Sequence, residues 1–210
     1  MALYNNSIFD QADFEHARSI VLTPENGVST DVRWNYETNW LIEKVSRYVD
    51  LSNKMIVLDF GCGVGRLSKV LVERNCFVVG VDASRKMLNH ANLYVDSDLF
   101  MPIASQALQC LSDNGLEVDI VLAVWVLQHI PELGTEIDRL YRVLKTGGYL
   151  VVADMNHRAL PTNDGWVSDG IDCFGLLSER FELVDRCVFD PPFAPENLLA
   201  NAYIAIFKKV

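Results

Sequence analysis

The sequence predicts an α/β protein built on a mostly parallel sheet, and three observations carry that expectation. Apolar runs of strand length recur at residues 55–58, 77–81, 119–124 and 149–154, separated by stretches with the 3.6-residue spacing of amphipathic helices. The first run passes through Gly61, Gly63 and Gly65 straight into such a helix, with Leu67, Val70 and Leu71 on one face and Lys69, Glu73 and Arg74 on another. The second run, Phe77-Val78-Val79-Gly80-Val81, ends in Asp82. At 210 residues the chain suits one domain with a substantial core.

Taken in order, residues 8–22 carry Ile8, Phe9, Ala12, Phe14, Ala17, Ile20 and Val21 among charged positions, a helix that Pro24 and Gly27 end. A second helix is expected over 34–49, with Thr30 or Asp31 near its start. The strand at 55–58, flanked by Asn53 and Lys54, leads into the glycine turn, where the backbone takes unusual dihedrals and a ligand can lie against the main chain. The helix behind the turn presents unpaired N–H groups to a carboxylate or phosphate. An acid about 20 residues past such a turn is placed to accept both hydroxyls of a ribose. Turn and acid together describe a nucleoside-cofactor site at the carboxyl end of the sheet.

These residues resemble the S-adenosylmethionine site of class I methyltransferases: Asp59-x-Gly61-x-Gly63-x-Gly65, then Val79-Gly80-Val81-Asp82. A dinucleotide site wants G-x-G-x-x-G, which this chain lacks. The resemblance covers about residues 53–210 and implies a Rossmann-like domain with a seven-stranded sheet, its last strand inserted antiparallel. Residues 1–52 match nothing specific and are expected to form a helical cap on the 53–210 core, within one domain. Such extensions commonly cover the cofactor and line the acceptor pocket, so Trp34 and Tyr36, with Trp40, are acceptor-pocket candidates beside the alternative of an aromatic core stripe.

The resemblance implies that Asp59, Gly61, Cys62, Gly63 and Gly65 hold the methionine end, partly through backbone N–H groups, and that Asp82 with Ala83 holds the ribose. The Cys62 side chain itself reads as packing in a turn that needs a small residue. Ser84 can cap the following helix. After a short strand at 99–101 the family's acidic adenine contact is missing, and Ser105 or Gln106 stands where it would be. Ala123 and Val124, at the tip of the fourth strand, would face the cofactor sulfur, and the acceptor would sit on the turn that follows, Trp125 to Pro131. His129 either orients or deprotonates the acceptor, or caps the turn by bonding a backbone carbonyl.

A helix over 132–144, a turn at 145–148 and the strand at 149–154 match the family's fifth unit. The polar stretch 156–170 begins on the cofactor's side of the sheet, which makes His157, Arg158 and Trp166 acceptor-pocket candidates and His157 a second candidate base. A short helix at 171–178 and strands at 181–189 and 202–207 complete the pattern, joined by the proline-rich 190–197.

Composition excludes several classes. The net charge is −10 with no basic cluster beyond Lys208-Lys209, which argues against nucleic acid and against a membrane surface. The five cysteines show no C-x-x-C spacing, so neither a zinc site nor a disulfide framework is expected. No apolar run spans a bilayer, and the N-terminus lacks the regions of a signal peptide, from which a cytoplasmic location follows by default. The expected function is S-adenosylmethionine-dependent methyl transfer to oxygen or nitrogen of a small molecule, without a metal. Its rivals are a non-catalytic S-adenosylmethionine-binding partner or regulator and a nicotinamide-dependent dehydrogenase.

Overall fold

A computed structural model describes residues 3–51 and 54–210. Met1, Ala2, Ser52 and Asn53 lie outside the described residues, and with them the expected boundary between cap and core. The chain opens with a 3₁₀ turn at Ser7–Phe9, then α1 (Phe14–Val21) and α2 (Thr30–Ser46). Alternating units follow: β1 (Ile56–Phe60), α3 (Arg66–Val72), β2 (Phe77–Asp82), α4 (Arg85–Val95), β3 (Phe100–Ala104), α5 (Ser105–Asp113) and β4 (Val118–Val124). After a 3₁₀ turn at Leu127–His129 come α6 (Leu133–Val143), β5 (Leu144–Met155), β6 (Leu160–Thr162), β7 (Gly165–Val167), α7 (Cys173–Arg180), β8 (Glu182–Val188), α8 (Glu196–Asn201) and β9 (Ala202–Lys208).

Seven strands form one sheet in the order β3-β2-β1-β4-β5-β9-β8. β1 to β5 pair in parallel, and β9 runs antiparallel between β5 and β8. The order reverses at β1 and β4, the crevice where open α/β sheets bind ligands at their carboxyl ends. The central strands β1, β2, β4 and β9 are buried on both faces, as continuous apolar runs such as Ile120-Val121-Leu122-Ala123 require, whereas the edge strand β8 is largely exposed.

Several expected elements shift for local reasons. The single helix over 8–22 is broken, because Asp13 caps α1 by accepting from the His16 amide at 2.8 Å while Asp10 turns away to Ser84 and Lys86. The second helix starts earlier than 34, capped by Ser29, whose hydroxyl accepts from the Val32 amide at 3.3 Å. The stretch after β3, which the sequence left unassigned, is the helix α5. The expected turn at 145–148 is drawn into β5, which pairs with β4 across a bulge between Val118 and Ile120. Residues 156–170 close into the β6–β7 hairpin, and α8 fills part of 190–197.

Candidate functional site

A cleft of about 1250 Å³ opens over the carboxyl ends of β1, β2 and β4. Its wall on the side of β2 starts from Asp82, which is partly buried. One Asp82 oxygen accepts the Gly63 amide at 3.0 Å and the other the Ser84 amide at 2.8 Å. Burial pushes the Asp82 carboxyl up, and these amides pull it back. Two carboxylate oxygens with spare lone pairs therefore face the cleft at a fixed height.

The glycine turn is shaped by close approach. Gly61 has φ +76°, and a Cβ there would lie 2.6 Å from Val126 Cβ; at Gly63, φ +54°, it would lie 2.8 Å from Val21 Cγ2. Glycine is thus required where α1 and the turn after β4 press on the loop. The turn's amides are spent inside the protein: Gly61 and Cys62 donate to the Val81 carbonyl at 2.8 and 2.9 Å, Gly63 to Asp82, and Gly65 to the Cys62 carbonyl at 2.9 Å. The expectation that these particular N–H groups face a ligand is corrected, because the loop needs them to close on β2.

Asp59 lies beneath the turn and does not border the cleft. It is 3% exposed and accepts the Ser68 hydroxyl at 2.6 Å, and burial raises its carboxyl to about 6. The buried Arg66 beside it donates to Thr38 Oγ1 at 3.0 Å, and burial lowers its guanidinium to about 10. Cys62 is buried against Gly80, and Gly65 packs on Ala91 and Val95 of α4, so neither lines the cleft. Gly61, Gly63, Ala83, Ser105 and Val124 do line it, whereas Gln106 and Ala123 do not.

On the other side the strand tip bends sharply. Trp125 has φ +58°, its amide donates to the Ala153 carbonyl at 2.8 Å, and its indole Nε1 is buried with no partner. His129 follows on the 3₁₀ turn. Its Nδ1 lies 2.6 Å from the Ala159 carbonyl, which can only accept, so Nδ1 carries the proton and Nε2 is the free nitrogen. Burial, with the Arg158 charge, lowers the imidazole below its usual range, so the ring is neutral at pH 7. The ring stands between Phe9 and Trp166, with centroids 5.3 and 5.2 Å away. The capping and functional readings of His129 are compatible, since each uses a different nitrogen.

His157 and Trp166 border the cleft, but Arg158 is buried behind the turn and corrects that expectation. Trp34 and Tyr36 do not border it either. Trp34 packs with Ala17, Leu22, Val64 and Met87, and Tyr36 stacks on Phe193 at 4.6 Å. Three groups in the wall were not named from the sequence, although the first two belong to the cap expected over the cofactor. The segment Tyr4–Asp10 crosses the cleft mouth, tied to Pro161 and Asn163 by Asn5 and to Ser84 and Lys86 by Asp10. Arg33 borders the cleft from α2, its Nε 2.5 Å from Glu37 and its Nη1 2.8 Å from the Thr23 carbonyl. Glu136 borders it from α6, paired with Arg139 at 2.9 Å. No local pattern marks the first of these, and a lone arginine on a helix looks like a solvated one. Among the described residues no group of His, Cys, Asp and Glu could hold a metal. No helix among them is long and apolar enough to cross a membrane.

Residues 58–152 match a family model described as a methyltransferase domain. The chain is 32% identical over 101 residues to a ubiquinone biosynthesis O-methyltransferase of Chelativorans sp., covering 48% of this chain and 40% of the relative. It is 32% identical over 120 residues to the protein of the same name from Pseudomonas entomophila, covering 56% and 50%. The chain thus spans about half or less of the length of the curated relatives it matches. A solved structure of magnesium protoporphyrin IX methyltransferase from Synechocystis with bound S-adenosylhomocysteine superposes with a TM-score of 0.69 at 19% identity, covering 97% of each chain. The glycine turn and Asp82 lie within the matched residues 58–152, over which, with this sheet order, the chain is similar to the class I S-adenosylmethionine-dependent methyltransferases.

Proposed function

We propose that this protein binds S-adenosylmethionine in the cleft and moves its methyl group to an oxygen or nitrogen of a small-molecule acceptor. The observation that carries the reading is Asp82, held by the Gly63 and Ser84 amides so that both oxygens are aimed where a ribose would sit. The residues fit that cofactor. Asp82 and Ala83 take the ribose, Ser105 approaches the adenine in place of the family's acid, and Gly61 and Gly63 leave room for the methionine end. With the Gly61, Cys62, Gly63 and Gly65 amides occupied, Arg33, which borders the cleft, is the cation assigned to the methionine carboxylate. Asp59 and Arg66 support the turn from beneath.

The sulfonium, when bound, supplies the activated methyl group. The chain's own work is to hold the acceptor in line with it and to exclude water. The tip at Val124 and Trp125 sets the floor of the acceptor half, and Phe9, Trp166 and His157 form its walls. His129 Nε2 accepts the acceptor's proton, or its hydrogen bond, while Nδ1–H stays on the Ala159 carbonyl. The open acceptor half of the cleft weighs against a non-catalytic binder, and the glycine spacing weighs against a nicotinamide enzyme.

Calorimetric titration of S-adenosylmethionine and S-adenosylhomocysteine into wild type and Asp82→Ala tests the reading. Micromolar binding that the variant weakens at least tenfold, about 1.4 kcal/mol, is expected. Asp82→Ala leaves the Gly63 and Ser84 amides without their acceptor, so a melting curve of the variant checks that the loss is at the site and not of the fold. Absence of binding to wild type defeats the proposal. Given binding, release of S-adenosylhomocysteine with a panel of hydroxylated and amino compounds separates an enzyme from a binder.

A further inference from the structure

We propose that Arg158 is a positioning residue for His129: its guanidinium ties the turn that carries the imidazole to Asp169 and so holds the ring with Nδ1 protonated and Nε2 turned to the cleft. The proposal rests on the role given above to His129.

The geometry is specific. The Arg158 side chain is 1% exposed, and each of its nitrogens is used. Nε lies 2.9 and 3.1 Å from the two Asp169 oxygens, Nη1 donates to the Leu127 carbonyl at 3.1 Å, and Nη2 donates to the Ile130 carbonyl at 2.5 Å. Those carbonyls bracket His129. The next residue completes the lacing, since the Ala159 amide donates to the Gln128 carbonyl at 3.0 Å and the Ala159 carbonyl accepts from His129 Nδ1. Two adjacent residues of the segment after β5 thus address all four residues from Leu127 to Ile130. Without the fork the Ile130 carbonyl loses its donor, the Leu127 carbonyl keeps only the Ile130 amide at 3.3 Å, and the turn is no longer held against the Ala159 carbonyl that selects the ring's tautomer.

Charge acts in the same direction. The charge acting on His129 is Arg158; Asp169 pairs with Arg158, the Arg158 charge also acts on Asp154 at the end of β5, and Glu136 of α6 borders the same cleft. The Arg158 cation opposes a second proton on the imidazole, and Asp169 balances that cation without touching the ring. A lysine would keep the charge but not the planar fork that spans two carbonyls and a carboxylate.

The test reads the tautomer directly and needs no acceptor. The full chain is labelled with ¹⁵N-histidine, and long-range ¹H–¹⁵N spectra are recorded from pH 5 to 9 for wild type, Arg158→Lys and Asp169→Ala, with His129→Gln identifying the signal. Wild type is expected to show one tautomer, protonated at Nδ1, throughout the neutral range. Arg158→Lys is expected to raise the other tautomer to at least about a tenth of the population. Asp169→Ala moves it in the same direction by less. A folded Arg158→Lys that keeps the single tautomer and the same titration overturns the proposal, since a merely packing role would move stability alone. If that variant does not fold, an unchanged spectrum of Asp169→Ala overturns it. S-adenosylhomocysteine titrations on the same samples keep the two readings apart, because failure of wild type to bind defeats the methyltransferase function and leaves the tautomer result standing.

Discussion

Asp154→Asn should make this protein more stable at alkaline pH. Asp154 ends β5 with 1% of its surface exposed; one oxygen accepts the Met155 amide at 2.9 Å and the other is buried without a partner. Burial, the first cause, raises its carboxyl from 3.8 to about 7. A raised acid binds its proton more tightly in the folded state, so stability is full below pH 4 and is lost as pH climbs from about 4 to about 7. A shift of about 3 units corresponds to about 4 kcal/mol of cost to the ionised protein. Asparagine keeps the acceptor for Met155 and never ionises, but its amide puts an unpartnered donor in the place of the lone oxygen, at about 1–3 kcal/mol. The net expectation is a gain of about 1–3 kcal/mol at pH 8 and a small loss at pH 5. Urea unfolding followed by tryptophan fluorescence at the two pH values measures both. Parallel pH dependence in wild type and variant would refute the reasoning and mean that the Asp154 charge is solvated in the folded protein.

Gly61→Ala combines a left-handed φ of +76° with overlap on Val126 and should cost about 2–4 kcal/mol, whereas Gly115→Ala, at φ +88° with nothing within 4 Å, should cost about 1–2 kcal/mol; urea midpoints compare them directly. Glu37→Gln removes the carboxylate between the buried Arg33 and Arg66, and a loss of about 3 kcal/mol in unfolding free energy is expected, with an unchanged midpoint arguing that solvent reaches the pair.

The cofactor half of the fold was legible because its signals are local. β1, β2, β4 and the second half of β5 carry apolar runs, and Gly61, Gly63, Gly65 and Asp82 lie within one strand-helix-strand unit. What the spacing could not reveal is the direction in which the turn's amides point, since that depends on β2 and its Asp82 lying alongside. The sequence reading erred where tertiary contacts outvote pattern. Trp34 and Tyr36 carry the marks of a pocket stripe, yet α2 turns Trp34 onto α1 and the glycine turn and sets Tyr36 against Phe193, outside the cleft. Arg158 sits in a polar, turn-rich stretch and looked solvated or substrate-facing. It is buried because the turn after β4 has carbonyls that no helix or strand satisfies.

The two halves of the cleft are therefore encoded differently. The ribose side is built from one continuous unit and a single carboxylate whose partners are backbone amides, an arrangement that tolerates change almost everywhere else in the chain. The acceptor side is assembled from Phe9, His129 and Trp166, which lie on three segments far apart in sequence and touch ring to ring. Each of those rings rests on a separate tether: Asp10 on Ser84 and Lys86, the 3₁₀ turn on Arg158, and the hairpin on Asn5. Substitution at any tether can reshape the acceptor half while leaving Asp82 and the glycine turn in place. A chain built this way can change acceptor without relearning its cofactor, and that is the physical reason why the family was readable from the turn and the acceptor was not.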